Sequence, residues 1–566
     1  MGEIGYHEIW QKYEKSKNYM DGKNILTKTE RNWNFYIGKQ WEAAKDSEGL
    51  EDLPMLNFIK QTVKYKVSSI AQHAITAIFS DMNNRELVSD NDDVCSRLNN
   101  LFDISWQKAK MNRTAWKALN QCAIQGDSYV FWYSGDTRIT PQIINNTQMH
   151  LGDENTVNIQ DQPWIIIEER LSKDVIKERA KLQGASEEEL SLIMSDGDND
   201  TQLYNKEEVS NKVTNLVYME KKDGIVNIAR ATKNVIYEEL HPIAQMKDNE
   251  PLDTGLTKYP LVPMVWEEVP NTARGSSEVE HLIPNQLELN KTLARRAISV
   301  KMTAFPRVAY DEGMLANPED LDKVGSALRL TGGNAQAISQ MIAYLSPQAQ
   351  SQDAKLLSDE LLDKTKDLAG ASDTALGNID LSRVSGTAAT TIRDQQQVPL
   401  NEQVAMYQEF VENTALLWFD IWKVYYPEGV EFDGIRVEPE EIENITPNVR
   451  IDIAEDTTLS RMSSQQEISN LFNNNKITFE EFAEAYPEHA SLDKKILLRI
   501  AEQRKQAQLA QQQAMQEQQM AMQQGGMPGA DEQINNEVPQ EIESQDVSAG
   551  GGMPAQQIQQ MVGGNE

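Results

Sequence analysis

The stretch Arg274–Tyr310, RGSSEVEHLIPNQLELNKTLARRAISVKMTAFPRVAY, predicts a helix that leads into a short strand. Ser277 suits the N-cap position, and Glu280 follows three residues later, as in a capping box. Pro284 suits the first turn of a second, longer helix. This helix has an apolar stripe of Leu289, Leu293, Ala297 and Val300. The helix and the strand that follows it carry the basic residues Lys291, Arg295, Arg296, Lys301 and Arg307. Such a basic helix is most often a solvated face, but here it stands in an acidic chain.

The composition excludes several classes of protein. The 566 residues suggest about three or four domain-sized units, and an apolar fraction of 39% indicates that part of the chain is not packed. The net charge of −33 argues against DNA binding on a free surface, which usually shows a basic footprint. Two cysteines, Cys95 and Cys122, exclude a disulfide framework and favour an intracellular origin. The sequence contains neither a signal-peptide pattern nor an apolar run long enough for a membrane span, so no membrane partner is expected.

The pattern before this stretch predicts helices followed by strands. Residues 5–45, 57–80 and 93–125 are predicted to be helical, and SYVFWY and PWIIIEERL are predicted to be strands. Polar helices are expected between 172 and 212. The segments VTNLVYMEKK, IVNIARAT and NVIYEEL then predict an antiparallel meander with a turn at Asp223-Gly224.

The pattern after the stretch returns to helices. Residues 305–350 predict a small α/β insertion, and a helix follows up to Gly370. The loop Gly370–Gly386 is long enough to suggest a function. A long helix is predicted over Thr387–Tyr426, with a kink at Pro399. Two strands and two or three short helices complete the prediction, and disorder is expected beyond Gly525. The fold class is therefore α+β and predominantly helical.

The motifs of common enzymes are missing from the sequence. No two of the six histidines have metal-ligand spacing, and no P-loop, GxSxG or kinase signature occurs. Asp196, Asp198, Asp200 and Glu207 match positions of an EF-hand loop, but Thr201 stands where the sharp turn needs glycine. A solvated acidic turn is therefore favoured over a Ca²⁺ site. The sequence predicts no catalytic residues, no metal and no cofactor.

Four segments, taken in order, resemble portal proteins of tailed double-stranded-DNA bacteriophages. FYIGKQW is similar to their aromatic G-x-Q-W segment, and LPMLNFIKQTVKYKVSSI to the P-x-x-N-x-I segment and helix that follow it. PLVPMVWEEVPNTARGSSEVEHLIPNQLELNK resembles their strand, Gly-Ser turn and first stem helix, including the pair Gln286 and Asn290. SRVSGTAATTIRDQQQ resembles the start of their long wing helix. The resemblance spans roughly residues 30–505, and its specificity lies in the order of the segments.

The resemblance implies a portal-type subunit with wing, stem, clip and crown regions. The implied regions are 1–270 (wing), 271–303 (first stem helix), 304–350 (clip), 351–369 (second stem helix), 370–386 (tunnel loop), 387–455 (wing), 456–525 (crown helices) and 526–566 (disordered tail). Leu376, Ile379, Leu381 and Arg383 of the tunnel loop would face DNA. The basic stem and clip positions named above would meet DNA or acidic partners.

The resemblance also implies a function and a set of partners. Subunits, usually twelve, would form a ring at one capsid vertex, assembled in the host cytoplasm, through which double-stranded DNA enters and leaves the virion. The terminase large subunit, head-completion or adaptor proteins, tail proteins, the major capsid protein and scaffolding proteins would contact the ring. Two alternatives remain open: another ring-forming virion adaptor, and a carboxylate-dependent metal nuclease.

Overall fold

A computed structural model describes most of the chain in two compact units, 1–460 and 461–566, and each unit is described by itself. The described residues are 5–41, 54–71, 73–81, 90–132, 140–196, 211–247, 250–304, 307–310, 317, 329, 342–345, 353–368, 370, 398–426, 429–432, 434–455 and shorter pieces between 468 and 504. These residues form both helices and strands, which confirms the predicted α+β class.

The first unit contains eleven helices of the described chain. They are α1 (Tyr6–Gly22), α2 (Ile25–Ile37), α3 (Phe58–Ala71), α4 (Asp90–Lys108), α5 (Met111–Gln125), α6 (Lys173–Leu182), α7 (Glu187–Leu192), α8 (Glu278–Ala304), α9 (Asp353–Leu368), α10 (Asn401–Tyr425) and α11 (Pro439–Asn444). None of the described helices is long and apolar enough to cross a membrane.

The strands of this unit form several small antiparallel sheets. They are β1 (His73–Asp81), β2 (Asp127–Phe131), β3 (Gln142–Asn145), β4 (Met149–Leu151), β5 (Trp164–Ser172), β6 (Lys212–Lys222), β7 (Ile225–Ala231), β8 (Ile236–Pro242), β9 (Ala244–Lys247), β10 (Glu250–Gly255), β11 (Leu261–Val265), β12 (Arg307–Tyr310), β13 (Ile342–Leu345), β14 (Val430–Phe432), β15 (Ile435–Val437) and β16 (Pro447–Glu455). The largest sheet has the order β4-β5-β6-β7-β8, and β11-β2-β3 form another.

The predicted meander forms the end of the five-stranded sheet. Asp223 and Gly224 both have positive φ, 53° and 81°, as the predicted two-residue turn between β6 and β7 requires. Helix α1 covers one face of this sheet, where Ile9 and Tyr13 are buried against Ile166 and Tyr218. The Tyr13 hydroxyl also donates a 2.9 Å hydrogen bond to the buried carboxylate of Glu168.

The main core lies between the helices and the β11-β2-β3 sheet. Its largest side chains are aromatic, and Trp418 of α10 contacts three rings: those of Phe102 and Trp106 on α4 and that of Trp132, which directly follows β2. Helix α10 therefore holds the C-terminal part of this unit on its N-terminal helices.

The single helix predicted over 57–80 is wrong in its second half. The helix α3 ends at Ala71, and His73–Asp81 forms β1, which pairs antiparallel with β16 from His73↔Glu455 to Asp81↔Pro447. The apolar spacing of Ala74 and Ile78 fits a helix face as well as a strand. Pairing with a strand far along the chain decides between the two structures.

Two prolines lie differently from the prediction. Pro284 is inside one continuous helix, α8, and does not begin a second helix. Pro399 lies in a 3₁₀ turn, Val398–Leu400, immediately before α10, so it does not kink the described helix. The rest of the helix predicted over Thr387–Tyr426, from 387 to 397, lies outside the described residues.

The second unit contributes a small aromatic cluster. Helix α12 (Phe479–Ala485) carries Phe479 and Phe482, whose rings pack against Phe472. Arg504 lies 4.5 Å above the Phe479 ring. Short helices were predicted here, whereas the predicted disordered tail, 526–566, lies outside the described residues.

Candidate functional site

The opening stretch forms one arm of a helical hairpin. Helices α8 and α9 pack antiparallel: the Asn285 amide donates to the Thr365 hydroxyl at 3.1 Å, and the Arg296 guanidinium to the Ser358 hydroxyl at 3.2 Å. Beyond the end of α8, β12 pairs with β13, which precedes α9. We call α8 and α9 the stem hairpin. It coincides with the segments for which the resemblance implies stem helices.

The end of the stem hairpin nearest to β12 and β13 exposes large apolar side chains. Val300 is 67% exposed on α8, and Leu356 and Leu357 are 63% and 51% exposed on α9. The predicted stripe of α8 therefore changes along its length, because Leu289 is buried in the core while Val300 lies open. This end of the hairpin therefore exposes apolar side chains to solvent in the single chain.

The predicted basic positions lie on this hairpin but differ in their partners. Lys291 and Arg295 both lie near the Glu288 carboxylate, at 3.9 and 3.8 Å, and all three side chains are largely exposed. Such surface pairs contribute little to stability. Lys301 is in α8 and Arg307 is in β12, and their side chains lie outside the described part of the structure.

The predicted tunnel-loop residues Leu376, Ile379, Leu381 and Arg383 all lie outside the described residues. Gly370, which begins the predicted loop, is described and has a φ of +65°. The assignment of the loop therefore stays a prediction.

A buried amide network joins three of the motifs that carry the resemblance. The Gln286 side chain donates to the Leu56 carbonyl at 2.8 Å and to the Asn290 side chain at 2.9 Å, and it accepts from the Phe58 amide at 3.2 Å. Asn290 in turn donates to the side chain of Gln40 at 2.5 Å. These amides are nearly inaccessible to solvent, and buried polar groups must be paired in this way.

Asn57 of the P-x-x-N-x-I segment extends this junction. Its side-chain amide donates to the carbonyl oxygens of Phe35 and Tyr36, and its oxygen accepts from the Lys60 amide at the start of α3. The sequence placed Gln40, Asn57 and the pair on α8 in separate motifs. The structure shows that these motifs meet where the stem hairpin joins the body, so they anchor its base.

Arg274, the first residue of the opening stretch, is a buried clamp that the sequence analysis missed. Its guanidinium donates two 3.0 Å hydrogen bonds to Glu154 and one each to the carbonyl oxygens of Asn146 (2.8 Å) and Met149 (2.7 Å). Asp127 lies 3.5 Å away. An arginine before a Gly-Ser turn gives no sequence signal of burial, because the acids that pair with it are more than 100 residues away.

Burial and the neighbouring charges act in opposite directions on the pKa values of Asp127 and Arg274. Burial raises the pKa of Asp127 above the ordinary aspartate value, and Arg274 opposes that rise. Burial acts to lower the pKa of Arg274, but Tyr129, Glu154 and Asp127 outweigh it and raise the pKa. The guanidinium therefore stays charged and holds the acids together.

The Gly-Ser turn next to Arg274 allows a close backbone approach. A Cβ on Gly275 would lie 2.4 Å from the Gly126 carbonyl oxygen, and a Cβ on Gly126 would lie 2.4 Å from the Gly275 oxygen. Both positions therefore need glycine. The Ser277 hydroxyl then accepts from the Val279 amide at the start of α8, as predicted for its cap, whereas Glu280 pairs with Lys28 at 3.2 Å.

In the acidic segment that was considered as a cation site, the first carboxylate pairs with groups of the protein itself. Asp196 pairs with Arg170 at 2.7 Å and accepts from the Thr214 amide, while the remaining candidate ligands lie outside the described residues. Across the part of the chain that the structure describes, no group of three or more His, Cys, Asp or Glu side chains could hold a metal ion.

Comparisons with known proteins give little further information. The sequence matches no protein-family model and no curated protein. Among solved structures, the chain is similar to one described as "Neck of empty GTA particle computed with C6 symmetry". The TM-score is 0.29 at 10% identity, over 77% of this chain and 88% of that chain. A TM-score of this size does not establish a shared fold.

Proposed function

We propose that this protein is a portal subunit of a tailed-bacteriophage-like virion, forming a ring with a central channel for double-stranded DNA. The observation that carries the proposal is the stem hairpin. It leaves the body at the amide network, ends in the β12–β13 pair and exposes apolar side chains along one part of its length.

The exposed end of the stem hairpin would be stabilised by contact with another copy of the chain. Burial of a leucine or valine side chain contributes about 1.5–3 kcal/mol, so leaving Val300, Leu356 and Leu357 in water forgoes several kcal/mol in a lone subunit. Identical hairpins arranged around an axis would cover these residues with those of the adjacent copies. A head-to-tail contact that closes on itself generates a ring.

The charge of the chain suits a channel that lets DNA slide. Phosphate contacts from many lysines and arginines would hold a duplex by counterion release. A chain of net charge −33 repels it instead, and the cations of α8 are partly screened by Glu288. In this proposal Leu376, Ile379, Leu381 and Arg383 line the narrowest part of the channel.

The remaining partners follow from the same proposal. The terminase large subunit would dock on the ring during DNA packaging, and head-completion, adaptor and tail proteins would replace it. The wing would face the major capsid and scaffolding proteins. The protein would have no catalytic role of its own, and it would reside at the portal vertex of the virion.

The runner-up is a ring-forming virion adaptor without the motor-docking role. The exposed hairpin favours either ring, so oligomerisation alone does not separate them. Binding of a purified terminase large subunit to the ring distinguishes the portal from the adaptor.

The test of the ring is to replace Leu356 and Leu357 together by Asp. Wild-type protein should form closed rings with a central hole, seen by mass photometry and electron-microscopy class averages, and the double variant should remain monomeric. The matched control is Leu182→Asp on α6, because Leu182 is 83% exposed but lies outside the hairpin. The control should assemble normally. Wild-type protein that stays monomeric across micromolar concentrations and a range of salt would refute the ring.

A further inference from the structure

Helices α3 and α5 present a basic surface within the acidic chain. Neither helix contains a single Asp or Glu, although the chain has 87 of these residues. We define the basic surface by its exposed cations, which come from these two helices and from the corner between α4 and α5. They are Lys60, Lys64, Lys108, Lys110, Arg113 and Lys117.

Side-chain contacts connect the exposed faces of α3 and α5. Helix α3 packs against α5. The Lys60 ammonium lies 5.9 Å above the Tyr36 ring, and the Tyr36 hydroxyl lies 3.4 Å from the Asn120 side chain of α5. Asn120 is one helical turn beyond Trp116 and Lys117. Tyr36 therefore connects Lys60 of α3 to the side of α5 that carries Trp116 and Lys117.

The local chain geometry fixes the corner. Lys110 has a φ of +53°, which ends α4 and turns the chain into α5. The Trp106 indole donates a 2.6 Å hydrogen bond to the Asn112 side chain and ties the two helices together across the corner. The cations on either side of this corner are therefore held in a defined arrangement.

Folding stability does not explain the placement of these charges. Lys60 and Lys64 form a like-charge pair one turn apart, and so do Arg113 and Lys117, an arrangement that destabilises a helix. Lys60 and Arg113 also lie in first turns, where the helix dipole disfavours cations. Lys66 of α3 is buried and pairs with Glu278 at 2.8 Å, so it is not part of this surface. A ligand outside the subunit would compensate for the repulsion.

We propose that the basic surface of α3 and α5 binds the phosphate backbone of duplex DNA. Protein–DNA interfaces are far more positively charged than protein–protein interfaces, whose cores are depleted in lysine. Five of the six exposed cations are lysines, which contact phosphates as point charges. Trp116, 39% exposed between Arg113 and Lys117, adds an apolar platform beside the phosphates.

This contact is independent of the channel. It lies on helices that pack against the start of α8, not on the exposed end of the stem hairpin, and it needs no ring. The overall charge of −33, which argued against DNA binding on a free surface, conceals this local exception. The acidic remainder of the protein would restrict the duplex to this surface.

The test compares two triple variants that change the net charge equally. One is Lys64→Gln, Arg113→Gln and Lys117→Gln. The control is Lys173→Gln, Lys177→Gln and Lys181→Gln on α6, where Asp174 and Glu178 are interleaved with the lysines. Binding of a short fluorescein-labelled duplex to the full-length protein is measured by anisotropy at several salt concentrations. Thermal unfolding shows that both variants remain folded.

The wild type and the control should bind the duplex with the same affinity. The first triple variant should bind at least about 10-fold more weakly, and the slope of log K against log salt should fall by about three, one for each lost phosphate contact. Equal weakening in both variants, or no binding by the wild type at low salt, would overturn the proposal. Tighter binding of polyglutamate than of the duplex would do so as well, since it identifies an acidic protein as the partner. None of these outcomes depends on whether the protein forms rings.

Discussion

Two groups of basic residues in this chain have opposite surroundings. The cations of the opening stretch have partners: Arg274 is clamped by Glu154, Lys291 and Arg295 lie near Glu288, and Arg296 donates to Ser358. Those of α3 and α5 stand on helices without any carboxylate.

This difference shows that the role of a group of basic residues depends on the acidic residues around it. The opening stretch attracts attention because its basic residues are close together in sequence. The basic surface is split between residues 60–64 and 108–117, so it emerges only when the helices pack. Acidic or hydroxyl groups lie beside Arg274, Lys291, Arg295 and Arg296 of the first group, whereas α3 and α5 of the second group contain no acidic residue.

The largest effect is expected at the buried end of the first group. Arg274→Ala should lower the free energy of unfolding by about 3–5 kcal/mol, because it leaves Glu154 and Asp127 buried without their cation. Urea unfolding of the purified protein measures this loss. Arg295→Ala, at an exposed pair on the same stretch, should change it by less than about 0.5 kcal/mol. Similar losses of unfolding free energy in Arg274→Ala and Arg295→Ala would contradict the different roles of the buried and the exposed arginine.

A smaller effect is expected for the amide network at the base of the stem hairpin. Gln40→Ala and Asn290→Ala should each cost about 1–3 kcal/mol, because each leaves a buried amide without its partner. The double variant should cost less than the sum, with a coupling energy of at least about 0.5 kcal/mol, since both remove the same hydrogen bond. Additive losses in a double-mutant cycle followed by thermal unfolding would show that the two side chains do not interact.

The smallest change in the free energy of unfolding is expected in the second group. There the substitution should stabilise the protein, whereas those above destabilise it. Arg113→Glu should stabilise the protein by about 0.5–1 kcal/mol, because it places an acid in the first turn of α5 and four residues before Lys117. The same change should weaken duplex binding. Arg113→Gln, the matched control, should give about half of the stabilisation. If the Arg113→Glu variant is more stable and still binds the duplex as tightly as the wild type, the basic surface is not the site of DNA binding.

Local sequence signals predicted much of the fold. The turn at Asp223-Gly224, the strands around Ile166 and Tyr218, and the cap at Ser277 all depend on residues within a few positions. The motifs that carry the resemblance lie in segments that the structure brings together at α8. Their convergence through Gln40 and Asn290, 250 residues apart, has no local signal.

The errors share the same cause. Residues 73–81 have a spacing that satisfies both helix and strand, and β16 resolves it only after the chain has folded. Burial of Arg274 depends on Glu154, 120 residues earlier. Counting charges over the whole chain missed the basic surface, because an average over 566 residues hides a patch of six. The predicted channel residues at 376–383 stay a prediction.

The pairing of β1 with β16 has a consequence during synthesis. Residues 73–81 leave the ribosome long before their partner, Pro447–Glu455, exists. At about 5–20 residues per second, this strand waits on the order of 20–75 s with its backbone hydrogen-bonding groups unpaired. An unpaired apolar strand is a template for pairing with other nascent chains. Successful production of this protein therefore depends on shielding a single nine-residue segment until translation is four-fifths complete.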